Sequence, residues 1–463
     1  MQRTYIKDLG QKIGEEVIIK GWIDVRRDQG KLIFFDFRDM TGKVQGVVLP
    51  GSSAKEVAEK TRPEWVVEVK GKVNERPEKN RQADKQNGNI ELEILEIGIL
   101  NESETLPFEI SDDTRVVGEE TRMKYRYVDL RSARMQRNLR MRSEVFSLMR
   151  NYFRDNGFTE IETPILTKST PEGARDYLVP SRLEKGYFYA LPQSPQQYKQ
   201  LLMTSGIEKY FQFPKCMRDE DTRGDRQPEF TQLDVEMSFA SEEEVMQMTE
   251  SLLIKIVKTL YPEKRIQQIP FPRIPYAEAM SKYDIDRPDI RDNKEDPNLL
   301  AFCWVVDFPM FEKNDKGGWT FTHNPFSGCK REFEEDVKAK SNIQNIIAAQ
   351  YDIVLNGYEI GGGSIRNHKP EMLHKVFEIL GYSDEEIQGK FGHMLEAFKL
   401  GTPPHGGIAW GMDRLMMLLH GEASIREVIA FPKTGEGKDF MMDAPSTVSA
   451  EQLVELGISI NKK

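Results

Sequence analysis

The sequence predicts an α+β protein: an N-terminal five-stranded barrel, then a larger domain in which an antiparallel sheet is flanked by helices. Three observations lead there. Residues 1–105 hold five short runs rich in β-branched and aromatic residues, and one helical stretch. After Pro107 the periodicity changes, and long amphipathic helices alternate with strands. Within that second region Glu229–Phe239 alternates residue by residue, with Thr231, Leu233, Val235, Met237 and Phe239 on one face.

The barrel runs are Val17–Arg26, Lys31–Arg38, Val44–Leu49, Trp65–Val73 and Ile90–Leu100, with a helix at Ser53–Glu59. Five strands with a helix after the third is the order of an OB barrel, whose open face binds oligonucleotides. Phe34 and Phe35 lie beside Arg26, Arg27, Arg38 and Gln45, a set able to stack on and hydrogen-bond to unpaired bases. Alternation lets only one phenylalanine point inward, and Phe34 is the one expected outside. Residues 106–130 read as a hinge and 131–463 as the second domain, making three segments with 1–105.

That domain opens with a helix over Ser132–Asn156, striped by Leu139, Val145, Phe146, Met149, Tyr152 and Phe153. Asn156-Gly157 stops it. Phe158–Thr163 follows as a strand closed by Pro164. Tyr210–Met217 is another strand, ending at Arg218; the charged loop Asp221–Gln227 leads into the return strand Glu229–Phe239. The opposite face of that strand carries Phe230, Gln232, Asp234, Glu236 and Ser238. This polar row is either the solvated side of a surface hairpin or the floor of a ligand cavity. In the second case Arg218 at its rim suits a phosphate. A helix over Glu242–Leu260 starts with Ser241 and Glu244 in capping-box spacing.

Asn356-Gly357 between apolar runs signals a hairpin with Leu355 opposite Tyr358 and Val354 opposite Glu359. Asp352 then shares a face with Glu359 as its diagonal neighbour. The pair is either solvated or holds a hard cation such as Mg²⁺. Plain alternation sends Arg366 to the other face, so its use in the same site requires a kink within Gly361–Gly363. His405–Leu419 reads as a glycine-rich strand entering a helix, where Gly406, Gly407 and Gly411 admit a flat ligand. Arg414 falls in the first turn of that helix, where the dipole disfavours a cation unless an anion lies in front.

The 463 residues give ample length for two domains, and 30% charged with 38% hydrophobic residues is ordinary for a soluble protein. No apolar run is long enough to cross a bilayer, and Met1–Gly10 lacks a signal-peptide stretch, so a cytoplasmic protein with no membrane partner is expected. Cys216, Cys303 and Cys329 are far apart, which implies neither a disulfide framework nor zinc. A net charge of −10 argues against indiscriminate nucleic-acid binding. Basic residues cluster at Arg126, Arg131, Arg134, Arg137, Arg140 and Arg142, a run more often a solvated helix face than a binding patch. No GxxxxGK[ST] loop is present, and Met280-Ser-Lys282 stands without the partner motif it would need.

The helix with Phe158–Pro164, then Phe213–Phe239, then Gly406–Leu419 resemble the three ordered motifs of class II aminoacyl-tRNA synthetases. Gly173–Pro180, Gln193–Met203, Gly224–Gln232, Tyr358–Arg366 and Ala430–Thr434 narrow the resemblance to bacterial-type aspartyl-tRNA synthetases, over nearly the whole chain. The resemblance implies a class II catalytic domain behind an anticodon-binding OB fold, acting on ATP, L-aspartate and tRNA(Asp), with tRNA(Asn) left open as a second acceptor. It implies catalysis by Arg218 and Arg414, with Arg218 on the α-phosphate and the substrate carboxylate, and adenine between Phe230 and Arg414. Asp219, Glu220, Gln227, Glu359, Gly411, Met412 and Asp413 fall at further ATP positions. Asp352 and Glu359 match carboxylates for Mg²⁺. Glu172, Gln196 and Asp234 match an ammonium cage; Lys199 and Arg366, helped by His323, match a clamp on the aspartate side chain. Arg27, Phe34, Gln45 and Glu91 fall at anticodon positions, and a homodimer is implied. One departure is visible: only a short acidic stretch separates Asp286–Arg291 from Cys303–Met310, so the domain that bacterial members insert there is missing. The alternatives are an asparagine or lysine enzyme of the same layout, a tRNA-independent ligase, or an RNA-binding protein without ligase activity.

Overall fold

The computed structural model describes residues 2–111, 113–169 and 172–461. They fall into two compact units, divided between Glu109 and Ile110. The first is a closed barrel of β1 (Glu16–Gln29), β2 (Leu32–Asp39), β3 (Gly42–Val48), β4 (Val66–Glu75) and β5 (Ile90–Asn101). Its pairing order is β1-β2-β3-β5-β4, with β3 and β5 parallel, and α1 (Lys55–Lys60) follows β3. Alternation along β2 sends Ile33, Phe35 and Phe37 into the core and leaves Phe34 half-exposed outside.

The second unit starts earlier than residue 131. Residues 114–130 form short helical turns with Arg126 and Asp129 buried, so they are not a free hinge. Charge patterning alone makes that segment look like a solvated linker. Its arginines are instead satisfied internally: Arg122 binds Glu427 through both terminal nitrogens at 2.9 and 3.0 Å, and Arg126 donates to the carbonyls of Arg426, Ile429 and Ala430.

The long helix α2 (Ala133–Asp155) is capped by Ser132 and buries Val145, Met149 and Phe153. Next come β6 (Thr159–Glu160), the hairpin β7 (Leu178–Pro180) and β8 (Phe188–Ala190), and α3 (Gln196–Thr204). The expected strand ending at Arg218 is two, β9 (Lys209–Gln212) and β10 (Lys215–Met217), because Pro214 cannot donate to a ladder. After them come β11 (Glu229–Ser238) and α4 (Glu242–Leu260), the latter with a full capping box at Ser241 and Glu244. The chain continues through β12 (Arg273–Pro275), β13 (Phe302–Val306), β14 (Gln350–Leu355), β15 (Tyr358–Ile365), α5 (Asp384–Lys399), β16 (His405–Gly411) and α6 (Met412–His420). The main sheet runs β12-β13-β14-β15-β16-β11-β9-β6, with β10 also on β11. Its centre is antiparallel; the edge pairs β12–β13 and β6–β9 are parallel, so the sheet is mixed. Helices α2, α4 and α6 share the core with its apolar face, through Met149, Leu253 and Leu415 among others.

Phe239 departs from the alternation predicted for β11. It adopts φ 61° past the strand end and is exposed. Residues 284–298, where the sequence departs from its resemblance, form a short connection. Gln267 stitches it by donating to Ile290 O at 3.0 Å and accepting from Asp292 N at 2.9 Å.

Candidate active site

A cleft of about 350 Å³ opens over β11, β15 and β16, and both Arg218 and Arg414 line it. Arg218 directly follows β10, and its N–H donates to Pro228 O at 2.8 Å, closing the loop between the strands. Its guanidinium lies 5.2 Å from the centre of the Phe230 ring, while its buried Nε has no partner. A flat ligand stacked on Phe230 would have to use the ring face that Arg218 leaves or displace the guanidinium. Arg414, in the first turn of α6, donates to Glu359 O and, at 3.3 Å, to Asp225 Oδ2. Its Nε is also buried and unpaired. Two guanidiniums with unspent donors thus face one cavity from separate elements.

The floor is the polar face of β11. Lys199 from α3 is 1% exposed and sits 2.8 Å from Asp234 Oδ1 and 3.4 Å from Glu236 Oε2. Arg366 donates to Glu236 at 2.9 and 3.2 Å and to Ser364 Oγ at 2.7 Å. Burial alone would push the Glu236 carboxyl up; Arg366 and Lys199 outweigh it and hold it below the usual carboxylate range. Glu236 is the residue sequence reasoning missed. Its position on the polar face with Asp234 was visible, but its role of bridging both cations was not. Asp234 lines the cleft, and its Oδ2 is buried with no donor, an acceptor left open. Gln196 and Glu172 line the same cleft; Glu172 accepts from Ser194 Oγ at 2.6 Å.

The kink that Arg366 requires is a β-bulge one residue earlier than Gly361. Val354 pairs with Glu359, whereas Ile353 pairs with Gly361, leaving Ile360 as the extra residue. The bulge reverses parity, so Glu359, Gly362 and Arg366 all line the cleft. Asp352 pairs with Gly362, two residues along the strand from the Val354–Glu359 pair, so it keeps the expected diagonal place beside Glu359. It is buried and set back from the cleft wall. Burial first, then the Glu359 carboxylate, pushes its pKa well above the ordinary value. A cation between the two would relieve both terms, so the donor set fits a hard ion. A Cβ on Gly362 would lie 2.7 Å from Asp352 Oδ1 and 2.9 Å from His323 Cε1, so only glycine lets these groups close in. Burial and the cations Arg366, Arg218 and Lys199 lower His323 to about 4, leaving it neutral near pH 7. Elsewhere His374, Glu378 and Asp384 approach one another, but Lys340 and Lys375 already bind Glu378 and hold it at about 2.

Glu220, Gln227, Gly411 and Asp413 line the cleft. Asp413 accepts from Thr231 N at 3.0 Å and pairs with Arg142 at 2.7 Å. Gln227 exchanges two hydrogen bonds with the backbone of Lys433. Asp219 and Met412 are not brought to the cleft. Asp219 turns to Arg175, its N–H donating to Arg175 O at 3.0 Å, and Met412 is core. Position within a motif does not tell which way each side chain turns.

On the barrel, Arg27 pairs across the ladder with Phe34, and Gln45 with Asp36, so all four share the outer face. Arg27 holds Asp36 through two bonds at 2.9 and 3.0 Å. Glu91 lies on β5, next to inward-facing Leu92, and points outward with them. Arg26 and Arg38 do not join this face as free donors. Arg26 caps α1 through the carbonyls of Glu59 and Thr61, and Arg38 is locked to Glu64 and Asp24.

Residues 118–435 match the family of class II tRNA synthetases (D, K and N), and residues 17–100 match the OB-fold nucleic-acid-binding domain. The chain is 41% identical to an aspartate–tRNA ligase of Macrococcus caseolyticus, covering 97% of this chain and 96% of that protein. It is 40% identical to an aspartate–tRNA(Asp/Asn) ligase of Natranaerobius thermophilus, covering all of both. The first alignment spans 577 positions against the 463 residues here, so the relative carries many positions this chain lacks. In fold, the chain resembles an asparaginyl-tRNA synthetase from Pyrococcus horikoshii complexed with asparaginyl-adenylate, with a TM-score of 0.76 at 20% identity over 94% of this chain and 98% of that one.

Proposed function

The chain belongs to the class II tRNA synthetases of the aspartate, lysine and asparagine group, and from that premise we propose that it is an aspartate–tRNA ligase. The observation that carries this reading is the buried Lys199–Glu236–Arg366 cluster beneath the two cleft arginines. Lys199 and Arg366 are already balanced by Asp234 and Glu236, so a substrate side-chain carboxylate would use the donors they keep, a match that the cation of lysine cannot make and the neutral amide of asparagine makes more weakly. Asp234, Gln196 and Glu172 would take the ammonium, which would satisfy the orphaned Asp234 Oδ2.

In activation, a substrate α-carboxylate oxygen bonds to the α-phosphorus of ATP and the bond to pyrophosphate breaks. The attacking oxygen is already ionised, so no general base is required; positioning and charge stabilisation supply the rate. Arg218 would stabilise the charge growing on the α-phosphate, and Arg414 would hold the γ-phosphate end. Asp352 and Glu359 would hold Mg²⁺, which neutralises phosphate charge when bound. In transfer, a terminal ribose hydroxyl of tRNA attacks the activated carbonyl and AMP leaves. The outward row Arg27, Phe34, Gln45 and Glu91 would read the anticodon, with Phe34 as the stacking platform. The turn near Gln29 and the loop 80–87 border that row and would bear on the choice between tRNA(Asp) and tRNA(Asn). A homodimer through α2 and β6 is proposed, supported by exposed Ile165 just beyond β6. Among the described residues no helix is long and apolar enough to cross a membrane. A cytoplasmic site of action is proposed from the ATP and tRNA the reaction would use.

ATP–pyrophosphate exchange measured with each amino acid tests the assignment. Exchange should depend on aspartate; exchange driven by asparagine or lysine instead would overturn it. Charging of purified tRNA(Asp) and tRNA(Asn) then decides the acceptor range.

A further inference from the structure

Behind the cleft, Gln196 continues into a row of buried polar groups that lie out of reach of the reacting atoms. Gln196 and Gln200 stand one turn apart on the same face of α3, and His405 is the first residue of β16. Gln200 and His405 are both buried completely. Gln196 Nε2 donates to Gln200 Oε1 at 3.0 Å, Gln200 Nε2 lies 3.2 Å from His405 Nε2, and His405 Nδ1 lies 2.8 Å from Pro403 O. The imidazole is held edge-on to Phe398 of α5, with ring centres 6.2 Å apart. The His405 backbone is tied to the cleft as well, its carbonyl accepting from Arg366 N at 2.9 Å.

One end of this row sets the direction of every bond in it. A carbonyl oxygen only accepts, so the proton on the imidazole sits at Nδ1, facing Pro403. Burial lowers the His405 pKa by more than the Glu236 carboxylate raises it, which leaves the ring neutral near pH 7 and Nε2 an acceptor. Gln200 must then turn its NH2 to the histidine and its oxygen to Gln196. Gln196 in turn spends its NH2 on Gln200 and keeps Oε1 for the cleft it lines, where nothing among the described residues donates to that oxygen. We infer that Gln200 and His405 are positioning residues that, anchored on the Pro403 carbonyl, lock the Gln196 amide with its oxygen toward the substrate ammonium. The inference rests on the aspartate–tRNA ligase reading. An amide free to turn would as readily offer its NH2, a donor facing a donor.

The test uses the full-length protein and two stable adenylate analogues as inhibitors of exchange. One is aspartyl-sulfamoyl adenosine; the other is its succinyl counterpart, which differs only in lacking the ammonium. Gln200→Leu keeps the volume and removes both amide bonds. It should weaken the aspartyl analogue about fivefold and the succinyl analogue less than about twofold. In exchange, KM for aspartate should rise by about the same fivefold, with KM for ATP and kcat within about twofold of the parent. On a Gln196→Leu background, Gln200→Leu should add less than about twofold, because its effect passes through Gln196. Equal losses for the two analogues, no loss for the aspartyl one, or an undiminished further loss on that background would overturn the inference. His405→Asn keeps a donor for Pro403 O and withdraws the acceptor from Gln200, and it gives the same ammonium-selective loss if Gln200→Leu fails to fold. Absence of aspartate-dependent exchange in the parent would strike the enzyme assignment rather than the orientation of the amides.

Discussion

Lys199 shows why a specificity residue can also be a stability residue. It is 1% exposed between Asp234 and Glu236, so Lys199→Met strands the buried Asp234 and leaves Glu236 to Arg366 alone. Loss of aspartate activation should therefore come with a loss of about 3–5 kcal/mol in urea titrations. Retention of full stability would mean that the carboxylates find other partners. Gly362→Ala separates the two effects better. Its Cβ would press on Asp352 Oδ1 and His323 Cε1, so KM for aspartate in exchange should rise about tenfold with little change in melting. His420 tests acid stability. Burial, with Arg137, Lys264 and Arg142 nearby, lowers its pKa to about 4 from 6.5. The unfolded chain takes up this proton first, so the stability present above about pH 6.5 is lost as pH falls toward 4. His420→Gln should flatten that part of the pH profile; an unchanged slope would exonerate His420. At this scale the sequence was readable where a period-two pattern forced the answer, as for Phe34 and Asp234. It was not readable where a side chain chose between partners, as Asp219 and Arg26 did.

The elements that carry the site are fixed from behind. Ile425 N and Ser424 Oγ both donate to Gly224 O, at 3.0 Å each, in the loop between β10 and β11. The 424–430 segment is itself held by Glu427 with Arg122 and Arg134, and by Arg126 on three carbonyls. Glu427→Gln should cost about 2 kcal/mol, because Arg122 and Arg134 each lose one charged partner while keeping Asp129 and Glu422, and should raise KM for ATP more than KM for aspartate. A shift below about 1 kcal/mol would show the network to be dispensable. This network was invisible in the sequence, since its halves lie some three hundred positions apart. The hairpin of β14 and β15 was half legible: Asn356-Gly357 set the register at the turn, and the demand to bring Arg366 inward required a kink. The bulge fell at Ile360, beside a glycine run whose missing side chains hide the local parity.

On the scale of the molecule, the barrel and the second unit each bury a core of their own. The fragment 110–463 should then keep aspartate-dependent exchange and lose charging of tRNA, measured against the full chain. Loss of exchange would show that the barrel is needed for the first step. Phe34→Ala in the full chain should raise KM for tRNA about tenfold and leave exchange untouched. Domain order was legible because composition and periodicity shift near Pro107. The boundary was misplaced because 114–130 looks polar until its arginines are seen to be internally paired. The stitched connection at 284–298 has a practical corollary. Its two ends are already held at fixed separation by Gln267 and by the pairing of Arg265 with Leu299 and Ile266 with Leu300. Foreign cargo spliced near Asn293, such as a fluorescent reporter or an affinity module, should ride on the enzyme without disturbing its chemistry, making this bend a natural port for engineering.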